Sequence, residues 1–288
     1  MYEHQFIHTN GVTLHTVVAG PASGPAVVLL HGYPEFWYGW RKQIPALAAA
    51  GFRVYAPDQR GYNLSDKPRG LSAYSVDELA GDILGLIDAI GQERVFLVGH
   101  DWGAVVSWWL ALTAPARLRR LAILNVPHPH VMRRHLLTDP RQMGRSLYAA
   151  FFQLPWLPEA AVSALHYRAL ARALRDSSLP GTFSDEELAE YRRAWARPGA
   201  MTTMLNWYRA ALRRPAADWP DAGVTVPTTV IWGMKDHALR PEMAAESAAL
   251  CDRPELIELE DNTHWVQHEA AALVNETLIT RFSSSAPT

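Results

Sequence analysis

Asp101 stands at the centre of Gly99-His100-Asp101-Trp102-Gly103, where a run of apolar residues gives way to a helical pattern. A chain that turns sharply from strand to helix needs small residues two before and two after its apex, because the two backbones nearly touch there. Such a turn presents the apex side chain as a nucleophile. An aspartate before a helix is also a common N-cap. A cap does not by itself call for glycine on both sides, so the nucleophilic reading carries more weight. Asp236 lies just past the apolar run Thr228–Trp232, and His264 just past Leu256–Leu259. Nucleophile, acid and histidine then follow the chain order of a triad in which the acid orients the imidazole. His264 is one of 12 histidines and is singled out by its loop and its order alone. His268, one turn further on, reads as a surface or packing residue. A carboxylate is a poor nucleophile toward amides. It suits displacement at a saturated carbon bearing a leaving oxygen or halide, which leaves an ester on the enzyme.

These side chains need a scaffold of strands and helices. Asn10-Gly11 between Gln5–Thr9 and Val12–Val18 is a hairpin signal. Ala26–Leu30, Phe52–Ala56, Val95–Val98 and Leu121–Leu124 are short continuous apolar runs, as strands buried on both faces should be. Helical spacing fills Trp37–Ala50, Val76–Ile90 and the stretch from Trp102 to Ala114, with Gly51 and Gly91 ending the first two. The alternation predicts a parallel sheet with helices on both faces, entered through an antiparallel hairpin. From about His128 to Asp221 only helical patterns occur. The rhythm then resumes with Thr228–Trp232, a helix near Pro241–Leu250, Leu256–Leu259 and a last helix from about Trp265 to Phe282. Ser283–Thr288 reads as a frayed tail. The expected organisation is an α/β core, residues 1–127 and 222–288, split in sequence by a helical domain of residues 128–221.

Composition narrows the partners. Of the 288 residues, 49% are apolar and 19% charged, which excludes a disordered chain. A net charge of −2 gives no footprint for nucleic acid or an anionic membrane. Trp102 to Ala116 is too short and too interrupted to span a bilayer. Cys251 is the single cysteine and forms no internal disulfide, and it makes no metal-ligand spacing with the histidines. No leader-like segment opens the sequence. The expectation is a cytoplasmic globular protein, monomer or homodimer, without metal or cofactor.

Five segments resemble the epoxide hydrolases of the α/β-hydrolase fold, and the resemblance covers nearly the whole chain. They are His31-Gly32-Tyr33-Pro34-Glu35, Arg60 to Pro68, Gly99 to Gly103, Asn206-Trp207-Tyr208-Arg209-Ala210, and Trp232-Gly233-x-x-Asp236 with Thr263-His264-Trp265. Asn63-Leu64 departs from the family pattern, which often has a glycine there. The resemblance implies a mostly parallel eight-stranded sheet flanked by helices, with an inserted all-helical cap. It implies Asp101 as nucleophile and His264 with Asp236 as the water-activating pair. Some relatives place the acid after the strand ending at Leu124, where this chain has Asn125. The cap tyrosines Tyr208 and Tyr148 are the implied acids that meet the epoxide oxygen. The backbone N–H groups of Tyr33 and Trp102 form the implied oxyanion hole, with a cis bond before Pro34. Pro34, Phe36, Trp207 and Trp265 are the implied pocket residues, while Trp108 and Trp109 belong to the core. The implied substrate is a small hydrophobic epoxide, opened to a vicinal diol.

Other readings are weaker. A haloalkane dehalogenase shares the nucleophile and is compatible with Trp102, but has tyrosine here where it often uses asparagine, and leaves the cap tyrosines idle. Fluoroacetate dehalogenases carry arginine where Trp102 stands. A serine esterase conflicts with Asp101. A non-catalytic receptor on the same fold has no need of an intact triad and two phenols.

Overall fold

Among the residues that the computed structural model describes (2–213, 219–220 and 223–284), eight strands form one sheet. They are β1 (Glu3–Thr9), β2 (Val12–Ala19), β3 (Ala26–Leu30), β4 (Arg53–Pro57), β5 (Val95–His100), β6 (Leu118–Leu124), β7 (Thr228–Gly233) and β8 (Pro254–Leu259). Their order across the sheet is β1-β2-β4-β3-β5-β6-β7-β8. The Asn10-Gly11 turn closes the β1–β2 hairpin, with Thr9 opposite Val12. β2 also runs antiparallel to β4, and every later pairing is parallel. The strands read as continuous apolar runs are buried on both faces: every residue of β3, β5 and β7 is buried. The edge strand β8 is only partly covered.

Helices α1 (Gln43–Ala49), α2 (Val76–Ala89) and α3 (Trp102–Thr113) follow β3, β4 and β5. Trp37–Ala50 is not one helix. A 3-10 turn over Trp37–Trp40 precedes α1, because Pro45 has no N–H to donate and is tolerated only in a first turn. The last expected helix is likewise divided at Ala270, whose φ of −115° is not helical, into α11 (Val266–Glu269) and α12 (Ala271–Ser283). Trp108 and Trp109 on α3 are buried, and the Trp108 indole donates to the Val126 carbonyl at 3.2 Å.

Among the described residues the elements named between β6 and β7 are all helices: α4 (Pro129–Thr138), α5 (Pro140–Arg145), α6 (Leu147–Phe151), α7 (Leu157–Asp176), α8 (Asp185–Trp195) and α9 (Ala200–Ala211). After β7, α10 (Glu242–Ala248) leads to β8. α7 is kinked where Leu165, His166 and Tyr167 take positive φ in succession. The boundary expected at 221/222 and the last four residues of the expected tail lie outside the described residues.

The inserted helices are tied to the loops at the strand ends by hydrogen bonds from buried side chains. Trp195 donates to the Pro34 carbonyl at 2.5 Å, Trp207 to Arg60 at 3.0 Å and Thr203 to Gly61 at 2.5 Å. A buried indole or hydroxyl without a partner is costly, so these bonds fix where α8 and α9 sit. The parallel direction of β3, β5, β7 and β8 then brings their C-terminal ends to one edge, where α/β sheets bind ligands. Among the described residues no helix is long and apolar enough to cross a membrane.

Candidate active site

Asp101 lies between β5 and α3 with φ 50° and ψ −125°, a backbone conformation that side-chain-bearing residues rarely adopt. The elbow closes this tightly because Gly103 lacks a side chain: a Cβ there would lie 2.1 Å from the Leu30 carbonyl oxygen. The Asp101 side chain makes no N-capping hydrogen bond. It points instead toward the loop after β3, where the Tyr33 backbone N–H donates to Oδ1 at 2.6 Å. Gly32 permits that approach, since a Cβ there would sit 2.2 Å from the same Oδ1. The Tyr33–Pro34 peptide bond is cis.

On the other carboxylate oxygen, Oδ2, stands His264 Nε2 at 3.7 Å. The opposite ring nitrogen of His264, Nδ1, is 2.7 Å from Asp236 Oδ2. Asp236 is saturated: Oδ1 accepts from the Ala238 and Leu239 N–H groups at 2.7 and 2.9 Å, and Oδ2 also accepts from the Asn125 amide at 2.9 Å. Asn125 therefore does not replace the acid but holds it. Its side-chain carbonyl accepts from the Gly233 N–H at 2.9 Å, which clamps the end of β6 to the end of β7.

Electrostatics follow from this geometry. Burial disfavours the charged forms of Asp101 and Asp236. The His264 imidazole, and backbone N–H groups that include Trp102 for Asp101 and Leu239 for Asp236, outweigh it and hold both below the usual carboxylate range. Burial likewise opposes charge on His264, but the carboxylates of Asp236 and Asp101 push it up to about 10. At neutral pH the resting site holds an imidazolium between two carboxylates.

Two phenols from the inserted helices lie within range of the Asp101 charge. Tyr208 on α9 is buried, with its ring edge-on to Trp102 at 4.9 Å and 5.9 Å from the ring of Tyr148 on α6. Burial first, then Tyr148 and Asp101, raise the Tyr208 pKa well above its ordinary value. Tyr148 keeps 43% of its surface exposed. Burial of its phenol and the charges of Asp101 and Asp236 nevertheless raise its pKa. An outward ring flank and an inward hydroxyl account for both.

The residues expected to line a pocket divide. Trp265 packs on the His264 ring at 5.1 Å, and its indole donates to Ser177 at the end of α7. Trp207 is fully buried and lines a small apolar cavity with Trp102, Tyr74, Val105 and Trp219. Pro34 serves as the anchor for Trp195. Phe36 packs among Trp37, Tyr38 and Tyr191, a placement that supports the base of α8.

Sequence reasoning missed a buried polar network under the site. Glu35 Oε1 accepts from the Tyr191 hydroxyl at 2.6 Å and from His268 Nε2 at 2.7 Å, and Oε2 accepts from Gln267 at 2.9 Å. Arg41 donates to His268 Nδ1 at 3.2 Å, so that nitrogen is an acceptor and His268 is neutral. Burial, its largest influence, lowers the His268 pKa and agrees. His100 Nε2 donates to the His264 carbonyl at 2.9 Å, which connects the network to the loop carrying the imidazole. His268 is thus neither a surface residue nor a mere packing residue. The available signals were a glutamate between Pro34 and Phe36 and a histidine ending an apolar strand.

The strand order, the elbow and the Asp–His–Asp geometry define an α/β hydrolase, and residues 25–271 match the family described as alpha/beta hydrolase fold. The chain is 47% identical over 275 residues to the AB hydrolase superfamily protein YfhM of Bacillus subtilis, covering 96% of each. It is 35% identical to Epoxide hydrolase A of Mycobacterium tuberculosis, over 96% of this chain and 95% of that one. It superposes on the Bacillus megaterium epoxide hydrolase crystallised with an inhibitor with a TM-score of 0.89, at 30% identity, covering 97% of this chain and 100% of that one. The chain belongs to the epoxide hydrolases of the α/β-hydrolase fold.

Proposed function

We propose that this chain hydrolyses a small, largely apolar epoxide to a vicinal diol through an ester on Asp101, with residues 128–221 acting as a cap over a core of residues 1–127 and 222–288. The observation that carries this reading is the placement of the Asp101 carboxylate. It has one oxygen on the Tyr33 N–H and His264 beside the other, with the Tyr208 ring packed on the adjoining Trp102 and the Tyr148 ring on Tyr208. In the first step Oδ2 attacks an oxirane carbon. The carbon–oxygen bond breaks, its electrons pass to the epoxide oxygen, and a phenol proton meets them. Raised pKa values keep both phenols protonated at neutral pH, so each is a donor before the step.

Esterification removes the negative charge of Asp101, one of the two carboxylates that raise the His264 pKa. The imidazolium then becomes more acidic, returns the phenol its proton and is left as a neutral base. His264 takes a proton from water, and the hydroxide adds to Asp101 Cγ. The charge develops on Oδ1, against the Tyr33 and Trp102 N–H groups. One such donor contributes about 3–4 kcal/mol to lowering a barrier of this kind. Collapse expels the diol as His264 gives back its proton, and the acid formed on Asp101 passes its own proton to His264, which restores the carboxylate and the imidazolium.

Tyr208→Phe tests the division of labour. A halide leaves without a proton, whereas an alkoxide does not. The variant is expected to lower kcat for styrene oxide about 100-fold or more, and any turnover of a bromoalkane far less. Equal losses on both substrates would remove the phenol from the reaction.

A further inference from the structure

Six large apolar side chains stand exposed within residues 147–157: Leu147, Tyr148, Phe151, Leu154, Trp156 and Leu157. No residue of α6 is buried, although all five are apolar or aromatic. Single exposed leucines are ordinary on a protein surface, but a run of this density marks a contact face. The segment is held firmly. Arg209 on α9 donates to the Phe152 and Leu154 carbonyls at 2.9 and 2.8 Å and pairs with Glu159 at 2.7 Å, which braces the turn between α6 and α7. On that turn Trp156 takes φ 52°, a conformation bulky side chains seldom adopt, and is left 82% exposed. Tyr148 joins the face to the site: its ring meets that of Tyr208 at 5.9 Å, and Tyr208 packs on Trp102 beside Asp101.

Charge indicates what covers the face. The stretch from α4 to α7 holds seven arginines and no lysine, against Asp139, Glu159 and Asp176. The net charge of −2 for the whole chain averages over this local positive excess. Arg133 on α4 and Arg141 on α5 are exposed, and neither makes an ion pair among the described residues. α4 packs on α5 and α5 on α6, so both arginines come from helices bordering the apolar face. A second copy related by a twofold axis sets the face against itself and brings these arginines toward their own kind. An anionic lipid surface instead offers hydrocarbon to the apolar side chains and phosphates to the guanidinium groups. Tryptophan suits that boundary, with an apolar ring and one N–H donor.

We propose that residues 147–157, with Arg133 and Arg141, form a face by which the inserted helices rest on an anionic lipid bilayer. For the apolar epoxide of the proposed function, the bilayer is then a reservoir on the side where Tyr148 reaches inward. Partition is read without turnover, so the inference stands or falls apart from the epoxide-hydrolase reading.

The test is co-sedimentation with vesicles of phosphatidylcholine containing phosphatidylglycerol, and with vesicles of phosphatidylcholine alone. The unmodified chain is expected to partition onto the anionic vesicles, with each arginine contributing about fivefold. Arg133→Gln with Arg141→Gln is therefore expected to lower that partition coefficient about tenfold or more and to leave the one on neutral vesicles unchanged. Trp156→Gln with Leu157→Gln is expected to lower both about tenfold or more, with the melting temperature unchanged because both side chains are exposed. No partition onto anionic vesicles overturns the proposal, and so does a Trp156 and Leu157 variant that partitions like the unmodified chain. An arginine variant that partitions undiminished overturns it independently, since no apolar residue is altered there. A dimer in solution that the Trp156 and Leu157 substitutions dissociate, with no partition onto vesicles, assigns the face to a second copy and overturns the membrane as its occupant.

Discussion

Asp101→Ala is expected to lower epoxide turnover by on the order of 10⁴-fold or more without lowering the melting temperature. The first part follows from the proposed mechanism, in which without the carboxylate no ester forms and the water-activating His264 has no substrate. The second part separates the two readings of this aspartate that the sequence left open. A true N-cap replaced by alanine costs about 1 kcal/mol, because an N–H of the first helical turn loses its acceptor. Here the side chain makes no N-capping hydrogen bond and turns toward the Tyr33 and Trp102 N–H groups instead. Its carboxylate is held close to another buried acid, Asp236, with His264 between them. Alanine removes a partly buried charge and keeps the Cβ, so stability is expected to hold. Thermal unfolding and steady-state kinetics on one preparation check both. Retained turnover with a lowered melting temperature would restore the cap reading.

His264→Gln separates the two chemical steps. The variant keeps the nucleophile and both phenols, and it loses the base that the second step requires. It is expected to take up one equivalent of substrate and stop, with steady-state turnover down by on the order of 10⁴-fold. Intact-mass spectrometry after mixing with 1,2-epoxyoctane should show the protein heavier by one substrate molecule. Alkylation itself will be slower than in the unmodified chain. Loss of the imidazolium removes the main influence holding Asp101 in its charged form, so the Asp101 pKa rises toward, or past, its ordinary value. The accumulating ester is still the decisive sign. Turnover falling with no covalent adduct at any time would place His264 in the first step or outside the chemistry.

How much of this was legible in the sequence depends on the range of the interaction. The elbow was legible because glycine, apex residue and glycine are neighbours and the reason for the spacing is local. The hairpin, the buried strands and the helical insertion were legible from periodicity and turn residues. Asp236 and His264, whose side chains meet at 2.7 Å, were singled out through chain order, since each follows its strand directly. Glu35 is different: its partners Tyr191 and His268 lie 156 and 233 residues away, and no local pattern connects them. Asn125 reads as a lost acid until the fold places it 2.9 Å from Asp236, 111 residues later. Pro34 and Phe36 were expected in a pocket, and the anchoring of Trp195 on Pro34 and the packing of Phe36 on Tyr191 depend on where α8 comes to rest. The break before α1 was within reach, because Pro45 announces it, but a helical run of apolar residues masked the signal. Near-zero net charge fits the proposed substrate and could not by itself have suggested it.

The central claim is that the oxygen delivered to the substrate comes from Asp101 and that water restores the carboxylate. It is tested most directly by repeated turnover of styrene oxide in oxygen-18 water, followed by mass analysis of the proteolytic peptide containing Asp101. The account predicts oxygen-18 in the Asp101 carboxylate, and a diol from the first turnover that contains none. Protein without label, together with a diol labelled from the first turnover, would mean that water attacks the epoxide directly and would contradict the account.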